Sequence, residues 1–195
     1  MDINETINEN QTASLAHQFL IAMPSLHGSE FSGSMTYVCQ HSEEGAFGVV
    51  INRRSNISLG EVMQQMSIED VNEEIIDLPV LDGGPVEPER GFILHQPFGE
   101  WDSTLKMTDS ISLTTSRDIL EAIAIKQGPQ QFLIALGYAG WDAKQLEQEI
   151  IENAWLNVPG DSSILFETPV EQRSKVAAAN LGVDLGFLTT QAGHA

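Results

Sequence analysis

The chain of 195 residues predicts an α/β fold, α+β in the mixing of its elements, built on a mixed sheet. Two patterns and one compositional fact lead there. Short runs of alternating apolar residues separated by turn residues mark β-hairpins, and later strand-like runs are interleaved with capped helical segments, so the sheet is not a clean doubly wound one. The hydrophobic fraction of 42% is ordinary for a globular protein, and a chain of this length buries roughly 70% of its unfolded surface without disulfides. The expected architecture is a single compact domain over residues 15–195. In it a mixed β-sheet or partial barrel is flanked by about four helices, behind a polar tail over residues 1–14.

The elements follow in order. Phe19-Leu20-Ile21-Ala22-Met23, ending at Pro24, reads as a buried strand, since proline cannot continue a ladder. A Gly/Ser-rich loop follows over residues 25–33. From Ser34 to His41 the pattern alternates, with Met35, Tyr37 and Cys39 on one face and Thr36, Val38 and Gln40 on the other. Glu43-Glu44-Gly45 turns the chain into a second β-rich run, Phe47 to Ile51, which completes a hairpin and gives way to a polar loop at Asn52, Arg53 and Arg54. Ser58 with Glu61 forms a capping box, and Leu59, Val62, Met63 and Met66 define the apolar face of a short helix.

Residues 67–79 form an acidic connection. Leu78 to Leu81 leads into the turn Asp82-Gly83-Gly84-Pro85, with strands expected over Gly91–His95 and Ile111–Thr114. Thr115 or Ser116 caps a helix to about Lys126, stopped by Gly128-Pro129. The near-continuous apolar run Gln131–Tyr138 is a central strand buried on both faces. Asp142 and Gln145 are expected to cap a helix from Ala143 to about Asn153, with a turn at residues 158–161 and a short strand over Ile164–Phe166. A last helix starts with Pro169 at its first position and ends at Gly182, and the small apolar tail 185–195 is expected to pack on the body.

Charge bears on function more than any single motif. Twenty-eight acidic residues face nine Lys and Arg, for a formal net charge of −19. Such a body repels phosphate backbones and anionic membranes. The few cations are scattered, so nucleic acid is not an expected partner. The single cysteine, Cys39, fits a reducing compartment, the acidic polar start does not read as a signal peptide, and no apolar segment nears the ~20 residues of a membrane span. The expectation is a cytoplasmic protein with no membrane contact, a monomer or weak oligomer.

Candidate chemistry is sparse. Cys39 and His41 share a strand face about 7 Å apart if the strand is regular, but nothing in the sequence stabilises a thiolate, and a small core residue beside a surface histidine is the plainer reading. Histidines 17, 27, 41, 95 and 194 lack metal-binding spacing, so no metal and no cofactor is expected. Gly83-Gly84 could present successive N–H groups as an anion nest with Arg90 nearby, against the simpler reading of a tight turn. Trp141, before a helix start, is either a packing anchor or part of an anion site. Glu147, Glu149 and Glu152 read as a solvated helix face.

Several segments, taken together in order and spacing, resemble the bacterial YqgE/AlgH family over about residues 15–195. They include Phe19–Pro24, Tyr37–His41, Gly45–Arg53, Gly83–Val86, Arg90–His95, Thr115–Leu120, Leu136–Trp141, Gln145–Glu149, Asn153–Trp155 and Ala192–Ala195. The resemblance implies a compact α/β protein of the bacterial cytosol, one branch of which is labelled a transcriptional regulator of alginate synthesis. It supplies no catalytic residues. The family's usual polar and glycine positions fall here on His41, Asn52, Arg53, Gly83, Gly84, Pro85, Arg90, His95, Trp141, Gln145 and Trp155. Departures stand at His27, Arg54, Lys144, where glycine is usual, and Ser174.

The resulting expectation is a non-enzymatic binding or regulatory module that does not bind DNA tightly. Its candidate surface comprises His41, Asn52, Arg53, Gly83, Gly84, Arg90, His95, Trp141 and Gln145, and its partner is a protein or a small anionic ligand. The alternative is an enzyme with a polar pocket around His41, Asn52, Arg53, Arg90 and His95, acting on a small anionic or phosphate-containing substrate.

Overall fold

The computed structural model describes residues 14–186. Ten strands make one mixed sheet in the order β10-β1-β2-β3-β9-β6-β8-β7, with β4 pairing β5 and β5 pairing β9. The strands are β1 (Gln18–Ala22), β2 (Met35–Ser42), β3 (Gly45–Val50), β4 (Arg54–Ser58), β5 (Pro79–Asp82), β6 (Val86–Gln96), β7 (Thr104–Lys106), β8 (Ser112–Thr114), β9 (Gln131–Asp142) and β10 (Trp155–Pro159). The helices are α1 (Leu59–Gln65), α2 (Arg117–Ala124), α3 (Gln145–Ile151), α4 (Ser162–Phe166) and α5 (Arg173–Asn180). The α/β mixed sheet is as expected, with five helices among the described residues where about four were anticipated.

β9 is the spine. One edge pairs antiparallel with β6 over most of its length. The other edge takes β5 in parallel at Ile134–Leu136 and then β3 antiparallel at Ala139–Asp142. Gly137, at φ 75°, sits at that change of partner, and a Cβ there would lie 2.3 Å from the Gly84 carbonyl oxygen. Only glycine accepts both the left-handed backbone and the close approach.

Alternation along the strands feeds two faces. Phe19, Ile21, Met35, Tyr37, Val49, Ile51, Phe92 and Leu94 point to the inner face, where α4 and α5 add Ile164, Leu165, Ala177 and Ala178. The outer face carries two separate clusters. Leu59, Met63, Ile119 and Ile123 of α1 and α2 pack on Val80, Ile93 and Ile134. Leu146 of α3 packs with Leu20, Val38, Ala139, Trp141 and Trp155. Both faces are thus covered, which is why the Gln131–Tyr138 run reads as continuously apolar.

The capping box of α1 forms as expected. Ser58 Oγ accepts from the Glu61 N–H, and Glu61 Oε2 accepts from the Ser58 N–H at 2.7 Å. Three local expectations are corrected. Ile164–Phe166 lies in a helix, not a strand, because the Asp161 carboxylate accepts from the Ser163 N–H and Oγ at 2.8 and 2.7 Å and opens a helical turn. Asp142 belongs to β9 and does not cap α3; its N–H instead donates to Gln145 Oε1 at 2.9 Å, while Lys144 enters the helix at φ 65°. Residues 155–159 form the edge strand β10, with Pro159 at the strand end where a missing N–H costs no ladder bond. The strands β4, β5 and β7 are also additional to the sequence reading. The expectations for residues 1–13 and 187–195, His194 among them, lie outside the described residues.

Candidate functional site

Asn52 and Arg53 act together. Two residues beyond β3, the Asn52 Oδ1 accepts from the Met35 N–H at 2.7 Å, and its Nδ2 donates to the Gly33 carbonyl at 2.9 Å and Ser174 Oγ at 3.3 Å. Arg53 donates from both terminal nitrogens, to the carbonyls of Glu30 and Ser32, each at 2.6 Å. The pair therefore clamps the Gly/Ser-rich loop between β1 and β2 against the body.

Gly83 and Gly84 lie beside this clamp. The Gly83 N–H donates to the Leu136 carbonyl at 2.7 Å, and the Gly83 carbonyl accepts from Val50 at 2.9 Å. With the Gly83 N–H so engaged, the two glycines do not present the successive free donors of an anion nest. Their size is what the fold uses: a Cβ on Gly84, at φ 141°, would meet the Tyr138 carbonyl carbon at 2.3 Å. Arg90 stands apart, in a stretch of β6 whose register breaks between Val86 and Gly91. Its Nη1 donates to Glu87 Oε2 at 2.8 Å, and its guanidinium lies 5.4 Å from the Phe92 ring centroid.

His95 is fully buried. Its Nε2 is 2.9 Å from Thr114 Oγ1, its Nδ1 is 3.3 Å from the Pro97 carbonyl, and Trp101 meets the ring edge-on at 4.9 Å. Burial lowers its pKa below the ordinary histidine value. His41 sits elsewhere, on the outer face: Nδ1 accepts from the Leu15 N–H at 2.9 Å and Nε2 approaches Glu147 Oε1 to 3.2 Å.

The register shift between Val38 and Gln40 places Cys39 in the inner core, while His41 turns toward α3. The pair therefore does not share a face, because a bulge inverts the alternation that a regular strand would keep. Burial also pushes the Cys39 thiol well above its ordinary range, which keeps it protonated.

Trp141 and Gln145 meet at a residue that sequence reading placed on a solvated face. Glu149 Oε2 accepts from the indole N–H of Trp141 at 2.9 Å and from that of Trp155 at 2.7 Å, while Oε1 accepts from Gln145 Nε2 at 2.9 Å. The two indoles are 5% and 4% exposed and pack edge-on at 5.9 Å. A buried indole N–H needs an acceptor, and the i, i+4 spacing of Gln145 and Glu149 was the available signal. Arg173 was a second omission. It is buried, donates to the Ile51 carbonyl at 2.6 Å and the Thr168 carbonyl at 3.2 Å, and burial lowers its pKa to about 10.

The candidate residues thus fall into separate groups: Asn52 and Arg53 with the glycine turn, Trp141 and Gln145 on Glu149, and His41, Arg90 and His95 in three different surroundings. Among the described residues no group of three or more His, Cys, Asp or Glu is arranged to hold a metal ion, and no helix is long and apolar enough to cross a membrane.

Comparison with known proteins agrees with this architecture. A family model described as AlgH-like matches residues 19–186. A UPF0301 protein of Methylococcus capsulatus is 54% identical over 180 residues, 92% of this chain and 96% of the relative. One of Nitrosococcus oceani is 49% identical over 179 residues, with the same shares. The solution structure of the AlgH protein of Pseudomonas aeruginosa superposes with a TM-score of 0.79 at 46% identity, over 94% of this chain and 97% of that one. A Corynebacterium diphtheriae protein, DIP2367, shares the fold at a TM-score of 0.59 and 22% identity, over 76% of this chain and 77% of its own. The chain belongs to the AlgH-like family.

Proposed function

We propose that the chain is a non-enzymatic binding or regulatory module of the bacterial cytosol that works through contact with a protein or a small ligand and does not grip DNA directly. The observation that carries this reading is where its cations stand. Arg54, Arg90, Lys106, Arg117 and Lys126 are each ion-paired to a carboxylate. Arg53 and Arg173 are committed to backbone carbonyls. Among the described residues that leaves Lys144 and Lys175 without such a partner, on a body of net charge −19. Phosphate contacts need a run of available Lys and Arg, and two separated lysines do not make one. The enzyme alternative would need His41, Arg90 and His95 around one cavity. Their contacts lie with Leu15 and Glu147, with Glu87 and Phe92, and with Thr114 and Pro97.

The test is a fluorescence-anisotropy titration of labelled duplex DNA at low salt, run beside native mass spectrometry of the full chain purified from its own cells. The expected result is no DNA binding and a stoichiometric protein or small-molecule adduct. Sequence-selective nanomolar DNA capture at cellular ionic strength would overturn the reading.

A further inference from the structure

A cleft of about 470 Å³ opens beside the β2–β3 hairpin, at the seam where β3 pairs with β9. Its floor is aromatic. Phe47 and Tyr138, both half-buried, meet edge-on at 6.1 Å, and Tyr138 meets Phe92 edge-on at 5.6 Å. Glu44 and Asp142 stand in the lining, both exposed, and no Lys or Arg lines the cleft. Among the described residues neither carboxylate has a hydrogen-bond or ion-pair partner. Gly140 also lines it, and a Cβ there would meet only Tyr138 Cε2, at 3.5 Å. The floor at that point is bare for want of a side chain, not because backbone crowds it.

The same row of rings already carries a cation at its other end. The Arg90 guanidinium lies 5.4 Å from the Phe92 centroid, with the Glu87 carboxylate bonded to it at 2.8 Å. The cleft offers the same two elements, an aromatic surface with a quadrupole that favours positive charge and a carboxylate to close it, but among the described residues no cation lines it. Val86, 37% exposed, adds apolar surface suited to a methylene stem.

We propose that this cleft receives the lysine or arginine side chain of a basic segment in a partner protein. The inference rests on the binding-module reading and supplies its recognition chemistry. A segment fits better than a free amine because the surplus negative charge covers the body as a whole, so that further cations along a peptide gain from the field outside the cleft.

The test uses a fluorescent hexapeptide of alternating arginine and serine, titrated by anisotropy at about 50 mM salt. Two cleft variants are compared with wild type: the double substitution Glu44→Gln/Asp142→Asn, and Gly140→Leu, which fills the floor. A control, Glu69→Gln/Asp77→Asn, removes the same charge from exposed positions that do not line the cleft. Each cleft variant should weaken binding about tenfold and the control less than about twofold.

Equal losses in cleft and control variants would reduce the effect to net charge and overturn the assignment. So would unchanged binding in the cleft variants, or spermidine binding more tightly than the peptide. If the peptide fails on wild type while a partner recovered from cells binds the cleft variants unaltered, the cleft is wrong and the module reading stands. If wild type binds neither the peptide nor any protein or small molecule recovered from cells, both fall.

Discussion

Replacing Glu149 by alanine tests whether the carboxylate that joins three motif residues holds the outer-face core together. In the wild type its Oε2 takes the N–H of Trp141 at 2.9 Å and of Trp155 at 2.7 Å, and its Oε1 takes the exposed Gln145 amide at 2.9 Å. Truncation leaves two indole donors without an acceptor in rings that are 5% and 4% exposed. An unsatisfied buried donor costs about 1–3 kcal/mol, so the pair should cost about 4 kcal/mol. The Gln145 amide returns to water at little cost. For a domain of this size that loss corresponds to a fall in Tm of about 8–16 °C.

Glu149→Gln, which keeps one oxygen for the indoles but turns an amide donor toward Gln145, should lose only about 1–2 kcal/mol. Urea unfolding followed by far-ultraviolet circular dichroism measures both. A double-mutant cycle with Trp155→Phe sharpens the result. That substitution deletes one donor, so in the Glu149→Ala background it should cost at least about 1 kcal/mol less than in the wild type. An alanine variant within about 1 kcal/mol of wild type, or strict additivity, would show that solvent replaces the carboxylate and would refute the assignment.

Five further outcomes are expected. Gly84→Ala should cost more than about 3 kcal/mol or abolish folding, because φ 141° and a 2.3 Å approach to the Tyr138 carbonyl carbon coincide. Gly28→Ala, at φ 85° with nothing within 4 Å, should cost only about 1 kcal/mol in the same unfolding assay. Asn52→Ala should cost about 2 kcal/mol and raise amide hydrogen exchange at Met35, whose N–H loses its acceptor.

Lys144→Gly should stabilise by about 1 kcal/mol in thermal unfolding, since Lys144 holds φ 65° with no side-chain cap bond. Burial holds the folded-state pKa of His95 below the ordinary 6.5. Between that lowered value and 6.5 the unfolded chain binds a proton that the folded chain refuses, so stability falls as pH drops through the window. His95→Gln should flatten that slope relative to wild type in urea titrations from pH 5 to 7.

The sequence by itself determined the elements whose signals are local. The Ser58–Glu61 capping box, the β2–β3 hairpin, the alternation of Met35 and Tyr37 and the doubly buried run of β9 all depend on neighbours a few residues away. They appear because hydrogen-bond geometry and side-chain period act at that range. The charge balance was equally legible, and so was the family, since its motifs are contiguous.

Tertiary structure decided what depends on partners far along the chain. Ile164–Phe166 is too short for its period to distinguish strand from helix, and Asp161 settles it. The bulge beyond Val38 is set by pairing with β3, and it parts Cys39 from His41. The Glu149 carboxylate joins two tryptophans brought together by β9 and β10. Arg53 and Arg173 act as clamps on backbone carbonyls, reaching ones as far as 23 and 122 residues away. A polar side chain's role is fixed by which donor or acceptor the fold places within about 3 Å of it, and sequence spacing does not encode that distance across a ten-stranded sheet.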